Sequence, residues 1–349
     1  MKIAIVGAGL IGERRARVAS SYPATTVALA IDIDEEKASG LGGELGCAWG
    51  LDWREAVEGG DIDAVVVATP NNFLGPVSMA ALKAGKHVLC EKPMAIRVDD
   101  AERMVETASG AGVTLMVGYT LRYHPAIAKA RELLVSGAVG EPMYVRGCYG
   151  HGGRPGYEAE WRFDPKVSGG GELIDQGVHL IDLSRWFLGE FDEVSGTVSA
   201  SFWDIAPLED NVFATLRTPG GKVASFHASC TQWKNRFTFE VFGKNGYLIV
   251  EGLGGSYGPE RLVLGIRDAE NPPPREEIFS FEGGDISWRN EWGEFVQAIE
   301  AGREPLVGGH DGLQVLRIVE AIYRSAKSKK AEKLCGNGNN FAASECKND

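Results

Sequence analysis

Short, continuously apolar runs separated by helical segments fill the first third of the chain. The runs lie at 2–6, 27–31, 64–68, 87–90 and 114–117. They are typical of strands buried on both faces. Helices are predicted between them at 9–20, 34–41, 77–84 and 99–109, with Asp34 as N-cap and Gly85 as a stop signal. The alternation predicts an α/β fold with a doubly wound parallel sheet, the Rossmann arrangement, over residues 1–120.

The pattern changes beyond residue 120. Helices are predicted at 125–136, 172–188, 292–301 and 312–325, and short strands at 196–202, 212–217, 223–230, 237–242, 247–250 and 262–266. The turns Gly220-Gly221 and Asn245-Gly246 favour hairpins. We therefore expect a second α/β domain over 121–326, with a large antiparallel or mixed sheet. The polar segment 327–349 is predicted to be a frayed tail.

Composition narrows the class of protein. A length of 349 residues favours two domains. The formal net charge of −12 argues against a nucleic acid or an anionic membrane as the main partner. The first apolar run ends at Val6, so neither a signal peptide nor a membrane span is predicted. The cysteines form no CxxC pair, so we expect no metal site, no disulfide framework, and a cytoplasmic protein with reduced thiols.

A GxGxxG fingerprint links the first predicted strand to the first predicted helix, the context that a dinucleotide site requires. A pyrophosphate must approach backbone N–H groups at the helix N-terminus, where a Cβ would block it. The alternative is a glycine-rich turn that binds no ligand. The predicted contacts are Gly7, Gly9, Leu10, Ile11 and Gly12.

Asp32, at the end of the second predicted strand, bears on the choice of cofactor. A carboxylate there accepts hydrogen bonds from ribose hydroxyls and repels a 2′-phosphate. The first cation after it is Lys37. NAD is therefore predicted over NADP. The alternative is that Asp32 only caps the turn, while Asp34 starts the next helix.

Two further segments carry ionisable side chains. Glu91 and Lys92 follow the strand at 87–90, and ligands bind at this carboxyl edge of open α/β sheets. Lys92 can supply a positive charge or a proton there, although such a lysine is also typical of a solvated surface. Asp175 and His179 are four residues apart and would share one helix face. Because that helix is apolar on most sides, we expect a partly buried pair able to take a proton from an alcohol; a surface pair is the alternative.

Together these motifs resemble the Gfo/Idh/MocA oxidoreductases, the family of glucose–fructose oxidoreductase and inositol dehydrogenase. The resemblance covers residues 1–326 and rests on GAGLIG at 7–12, ATPN at 68–71, AGKHVLCEKPMA at 84–95 and GGGELIDQGVHLIDL at 169–183. It implies a Rossmann domain followed by an α/β domain whose open, mostly antiparallel sheet forms the interface of a homodimer or homotetramer. It also implies NAD(P)-dependent hydride transfer to or from a hydroxyl carbon of a sugar or cyclitol.

The resemblance also implies roles for particular residues. His179 would take the hydroxyl proton, Lys92 would stabilise the oxygen, and Asp175 would bond to substrate or to His179. The Lys92–Pro93 peptide bond would be cis. Many relatives carry a histidine where this chain has Leu74, which leaves one contact near the cofactor in doubt. Cofactor contacts are implied for Ala68, Thr69, Pro70, Asn71, Glu91 and Lys92.

The substrate is less narrowly predicted. Residues 119–124 face the cleft in relatives, and the loop 151–162 precedes the catalytic helix. Trp161 can stack on a sugar or pack the loop, and the arginines can bind hydroxyls, a carboxylate or a phosphate. A plain sugar, a nucleotide sugar and a uronate all stay open, as do two other functions, an NAD-dependent glycosidase that oxidises transiently and a non-catalytic NAD-binding sensor. The predicted substrate contacts are Lys92, Arg122, Tyr123, Arg154, Trp161, Arg162, Asp175 and His179.

Overall fold

The computed structural model describes residues 1–268, 270 and 273–334, and these residues form two β-sheets. The first sheet has six strands, all parallel, in the order β3-β2-β1-β4-β5-β6. Of its two central strands, β4 is apolar and buried throughout, and β1 is apolar and buried after its first residue, Lys2, as the pattern predicted. The strands are β1 (Lys2–Val6), β2 (Thr26–Ile31), β3 (Ala48–Gly50), β4 (Ala64–Val67), β5 (His87–Glu91) and β6 (Leu115–Gly118).

Five helices connect these strands: α1 (Leu10–Ser20), α2 (Glu35–Leu45), α3 (Arg54–Glu58), α4 (Asn71–Lys83) and α5 (Val98–Ala111). This confirms the doubly wound fold. The pattern missed β3 and α3, which are too short to show a period. It also placed the start of α4 at residue 77, because Pro76 is typical of a helix boundary. In the structure Pro76 lies inside α4.

The second sheet has nine strands in the order β14-β13-β12-β11-β7-β10-β9-β8-β15. All neighbours are antiparallel except β7 and β10, which confirms a mostly antiparallel sheet. The sequence pattern missed β7, the central strand, because its residues PMYVRGCYG do not alternate cleanly. The strands are β7 (Pro142–Gly150), β8 (Glu193–Ser199), β9 (Asn211–Arg217), β10 (Val223–Ser229), β11 (Arg236–Gly243), β12 (Gly246–Glu251), β13 (Glu260–Ile266), β14 (Arg275–Phe281) and β15 (Glu332–Lys333).

The two faces of this sheet differ. One is covered by helices and buries Val145, Phe226 and Phe239, whereas the other leaves Phe213 and Ile278 more than half exposed. The longer helices of this part are α6 (Pro125–Val135), α8 (Val178–Leu188), α9 (Ser287–Ala301) and α10 (Gly309–Ser328); α7 (Pro165–Ser168) is a single turn. Since α9 packs on α1 and α10 packs on α5, the C-terminal helices also contact the first sheet's layer.

The predicted tail begins later than expected. Helix α10 continues to Ser328, and β15 pairs with β8 through Glu332 and Val194. Residues 335–349 of that tail lie outside the described residues. The division of the chain at residue 120 stays a prediction, although the strands of the two sheets lie within 2–118 and 142–333. Within the described ranges, no helix combines the length and apolar character needed to cross a bilayer.

Candidate active site

The glycine fingerprint forms a tight turn at the N-terminus of α1. Gly7 has φ +97°, and a Cβ there would lie 2.5 Å from the Ala68 carbonyl oxygen. A Cβ on Gly12 would lie 1.7 Å from the Gly7 oxygen, whereas a Cβ on Gly9 would meet no protein atom within 4 Å. Gly7 and Gly12 are therefore required by packing. Gly9 leaves open space in front of the helix N-terminus, a cradle that fits a pyrophosphate.

Asp32 borders this cradle and is partly exposed. Its Oδ2 accepts from the Ala8 backbone N–H at 2.7 Å and its Oδ1 from that of Asp34 at 3.0 Å. Asp34 in turn caps α2 by accepting from the backbone N–H of Glu36. Asp32 thus supports the turn, as the alternative proposed. Because each carboxylate oxygen has further acceptor capacity, it can also accept from ribose hydroxyls.

The loop between β4 and α4 runs from Ala68 through Thr69 and Pro70 to Asn71, beside the fingerprint. The Thr69 hydroxyl is buried and has no hydrogen-bond partner among the described residues, so it is available to a bound cofactor. The Asn71 amide donates to the Ser168 carbonyl at 2.9 Å, which ties this loop to the segment before the predicted helix 172–188. Leu74 is fully buried in α4.

Glu91 ends β5 and belongs to a buried ion-pair network. Its Oε1 accepts from Arg15 Nε at 2.8 Å, and the same guanidinium pairs with Glu291 of α9. The Arg15 side chain is 1% exposed. Glu91 therefore has a structural partner, and its contact with the cofactor stays a prediction.

Lys92 follows β5 and reaches across to Asp175. Its Nζ donates to Asp175 Oδ1 at 2.6 Å and to the Asp175 carbonyl oxygen at 2.5 Å. Asp175 Oδ2 lies 3.6 Å from Arg162 Nε. Burial alone raises the pKa of Asp175, but the charges of Lys92 and Arg162 outweigh burial and hold this pKa below its usual range. The site therefore carries a fixed carboxylate. The Lys92–Pro93 peptide bond is cis, as the resemblance implies.

The segment that carries Asp175 is not a regular α-helix. Leu173–Gly177 forms a π-helical turn, and α8 begins after it at Val178. The predicted helix 172–188 therefore consists of two parts. In this turn Asp175 contacts Lys92 and Arg162. The structure shows no hydrogen bond between Asp175 and His179, so of the two contacts implied for Asp175 the one with substrate stays a prediction.

His179 lies one turn further along, at 8% exposure. Its ring meets the rings of Tyr119 and Tyr149 edge-on, each with a centroid distance of 5.8 Å. Its Nδ1 is buried without a hydrogen-bond partner in the described part of the chain. Burial, helped by the charge of Lys92, holds the pKa of His179 well below its ordinary value. The imidazole is consequently neutral at pH 7 and can accept a proton.

The loop after β7 closes one side of this cluster. Arg162 stacks on the Trp161 ring with its guanidinium carbon 4.8 Å from the centroid, and its Nη1 pairs with Glu160 at 3.2 Å. Arg154 pairs with the same Glu160 at 2.5 Å and has a mostly exposed side chain. Trp161 is 37% exposed. The structure thus brings Arg162 to Asp175, with Trp161 and Arg154 at the outer rim.

Arg122 and Tyr123 are placed differently from the prediction. Arg122 is 3% exposed, its Nε and Nη2 donate to Asp182 at 2.9 and 2.6 Å, and Nη2 also donates to Asp311. A guanidinium already bound by two carboxylates is not offered to a substrate. Tyr123 is buried, and its carbonyl accepts from Asn290 of α9. Both residues therefore support the junction with the C-terminal helices.

Several residues of the cluster were not among the predicted contacts. Glu172 is 1% exposed, and its Oε1 lies 3.7 Å from His151 Nε2. Burial, reinforced by the charge of Asp175, raises the pKa of Glu172 well above its usual value. The sequence could have indicated Glu172, because a glutamate within an otherwise apolar helix is expected to be buried and to have a role. Tyr149 lies on the unpredicted β7, so no local signal pointed to it.

Comparison with known proteins shows which family the chain resembles. The family description "Oxidoreductase family, NAD-binding Rossmann fold" matches residues 1–119, and "GFO/IDH/MocA C-terminal domain" matches residues 127–249. Levoglucosan dehydrogenase of Pseudarthrobacter phenanthrenivorans is 27% identical over 93% of this chain and 96% of its own. 1,5-Anhydro-D-fructose reductase of Ensifer adhaerens is 30% identical over 80% and 82%.

A solved structure agrees with this. The aldose–aldose oxidoreductase of Caulobacter crescentus, complexed with glycerol, superposes with a TM-score of 0.84 at 29% identity, covering 96% of this chain and 99% of the other. The chain belongs to the Gfo/Idh/MocA family of NAD-binding oxidoreductases.

Proposed function

We propose that this member of the Gfo/Idh/MocA family is an NAD-dependent dehydrogenase that acts on a secondary hydroxyl of a sugar, a sugar derivative or a cyclitol. The relatives named above act on carbohydrates by name. The observation that carries the proposal is the cluster at the carboxyl edge of the first sheet. There the Lys92 ammonium, held by Asp175, lies near a neutral, buried His179.

The fingerprint residues, Asp32 and Thr69 would hold NAD, whose nicotinamide accepts a hydride from the carbon that bears the hydroxyl. His179 accepts the hydroxyl proton, a role that its neutral imidazole allows. Lys92 donates a hydrogen bond to the same oxygen and stabilises its developing negative charge. Asp175 holds Lys92 in place through two acceptor oxygens, 2.6 and 2.5 Å from Nζ. In the reverse direction His179 returns the proton.

The outer part of the site suits a polyhydroxylated ring. Trp161 offers an aromatic face to sugar C–H groups, while Arg162 offers N–H donors to hydroxyls. Arg154, already paired with Glu160, lies further out. We propose a neutral sugar or cyclitol as the first class to test, because both arginines already have carboxylate partners. A uronate or nucleotide sugar then requires one of these pairs to open.

The proposal is tested by following NADH absorbance with the purified protein and a panel of sugars, anhydrosugars, cyclitols, uronates and nucleotide sugars. A dehydrogenase forms NADH in proportion to oxidised product. Product formed without net NADH would instead identify a glycosidase that recycles its cofactor. NAD binding without turnover of any compound would identify a sensor.

We further propose that the open face of the second sheet forms a homodimer or homotetramer interface in a cytoplasmic enzyme. Phe213 and Ile278 lie on this face at 53% and 58% exposure, and Tyr144 at 38%. Large apolar side chains on an uncovered sheet favour burial against a second copy. The described cysteines are free, as expected of reduced thiols in the cytoplasm. Ultracentrifugation showing only a 37.5 kDa species at micromolar concentration would contradict the oligomer.

A further inference from the structure

The turn before the catalytic helix is held by a carboxylate from a distant loop. Glu209 is 4% exposed, and its Oε1 accepts from the backbone N–H of Gly171 at 3.2 Å and of Leu173 at 3.0 Å. The Tyr323 hydroxyl of α10 donates to the same oxygen at 2.8 Å. The backbone carbonyl of Glu209 accepts from Glu172 N–H at 3.0 Å. One residue therefore satisfies three consecutive backbone donors, which would otherwise be unpaired at the start of the π turn.

The glycines of this turn are needed because Glu209 and Tyr323 approach so closely. A Cβ on Gly170 would lie 2.3 Å from the Tyr323 hydroxyl oxygen. A Cβ on Gly171 would lie 2.1 Å from the Glu209 carbonyl oxygen. The absence of side chains at these glycines thus leaves room for Glu209 and Tyr323 to pack against the backbone of the turn and hold it. Their place in the sequence motif is explained without any contact to a ligand.

We infer that Glu209 is a positioning residue for the reaction, acting through the π turn on Asp175 and Lys92. Asp175 lies two residues after Leu173, and Lys92 binds both its carbonyl and its carboxylate. The Asp175 carbonyl can accept a hydrogen bond from Lys92 only if the backbone of the turn keeps its present conformation. Glu209 does not contact Lys92 directly, so it acts by holding the backbone of the turn. Its negative charge also interacts favourably with the partial positive charge at the helix start.

The inference rests on the proposed function for its kinetic consequence but can be tested without it. In ligand-free protein, competitive acetylation by acetic anhydride followed by mass spectrometry reports how tightly each lysine is held. In Glu209→Ala, Lys92 should be acetylated about tenfold faster, because it loses a charge-assisted contact. Lys86 is the internal reference, since its Nζ donates to Gly59 and Ile62 carbonyls away from this turn.

Matched variants separate positioning from general stability. Glu209→Gln keeps an acceptor oxygen and should restore both Lys92 protection and turnover. Tyr323→Phe removes one of the three hydrogen-bond donors to Glu209 Oε1 and leaves the carboxylate, so it should accelerate Lys92 acetylation by a smaller factor. It replaces Glu209→Ala if that variant does not fold. Glu294→Ala is the control. Its carboxylate also accepts a backbone N–H, from Leu306 at 2.8 Å, but lies outside the catalytic segment, so Lys92 should stay protected.

With an active substrate, Glu209→Ala should lower kcat about tenfold or more while KM for NAD stays unchanged. Equal acceleration of Lys92 and Lys86 acetylation would show a general loss of stability and overturn the inference. Unchanged Lys92 acetylation in Glu209→Ala would overturn it as well. Absence of turnover in the unsubstituted protein would reject the proposed function alone, because the acetylation result does not depend on a substrate.

Discussion

Replacing Lys92 by methionine tests the electrostatic part of the proposed mechanism. Lys92→Met keeps the length and the apolar stem of the side chain but removes the ammonium that Asp175 holds at 2.6 Å. The developing negative charge on the substrate oxygen then loses its closest cation. NAD binding should not change, because the fingerprint turn and Asp32 do not depend on Lys92.

The expected magnitude follows from two estimates. A cation about 3 Å from a developing charge, at an effective dielectric constant of about 20, contributes about 5 kcal/mol, which is an upper limit because water partly replaces the lost charge. Removal of one oxyanion donor typically costs about 3–4 kcal/mol. Since about 1.4 kcal/mol corresponds to a factor of ten, the hydride-transfer rate should fall about a hundred- to thousandfold.

The assay is single-turnover formation of NADH, with NAD affinity measured separately by titration. Lys86→Met is the matched control: its ammonium is also buried and bonded, to the Gly59 and Ile62 carbonyls, but it lies before β5. That variant should lose stability and keep its rate. A Lys92→Met rate within threefold of the unsubstituted protein, with NAD bound normally, would refute the electrostatic role.

Three further predictions concern the choice of cofactor, the proposed base His179, and Arg122, which the structure buries away from the site. Asp32→Ser with Ile33→Arg should shift preference toward NADP, and better turnover of NADP by the unsubstituted protein would contradict this role of Asp32. His179→Gln should slow hydride transfer about a hundred- to ten-thousandfold. The pKa of His179 is lower in the folded than in the unfolded state, so its contribution to stability is complete above pH 6.5 and is lost as the pH falls toward the folded pKa. In urea titrations between pH 6.5 and 5, the unsubstituted protein should therefore lose more stability than the variant. The difference should reach up to about 1.4 kcal/mol per pH unit. Arg122→Met should cost about 3–5 kcal/mol of unfolding free energy by leaving Asp182 buried without its partner, while KM for the substrate stays unchanged; a raised KM at full stability would restore the predicted substrate contact.

The local sequence pattern was sufficient to predict the first sheet and its glycine-rich turn. Parallel strands covered on both faces must be apolar throughout, so β1, β4 and β5 appear directly as short apolar runs. The fingerprint is also mostly local, because Gly12 packs on the Gly7 carbonyl within a single turn, although Gly7 packs on Ala68 after β4 as well. The motif around Lys92 pointed to the ligand edge, since that edge follows from strand direction alone.

Other features depended on partners that the sequence does not reveal locally. Lys92 and Asp175 are 83 residues apart, and Arg122 and Asp182 are 60 apart. Both pairs join a cation to a carboxylate near the same junction. Only the tertiary structure determines that the Lys92–Asp175 pair stays accessible beside His179, whereas the Arg122–Asp182 pair is buried in the interior. The strand β7 was missed for a related reason, because its neighbours β10 and β11 stabilise a segment whose own residues show no clear alternation.

By itself, therefore, the sequence determined the Rossmann sheet, the nucleotide turn and the set of ionisable residues from which the site is drawn. These depend on apolar periodicity and on turn stereochemistry, which act over a few residues. The tertiary structure alone decided that Asp175 bonds to Lys92 and not to His179, that Arg122 is sealed by Asp182, and that Glu209 anchors the π turn. Each of these depends on which distant donor reaches which acceptor, and burial then determines the charge that each group can carry.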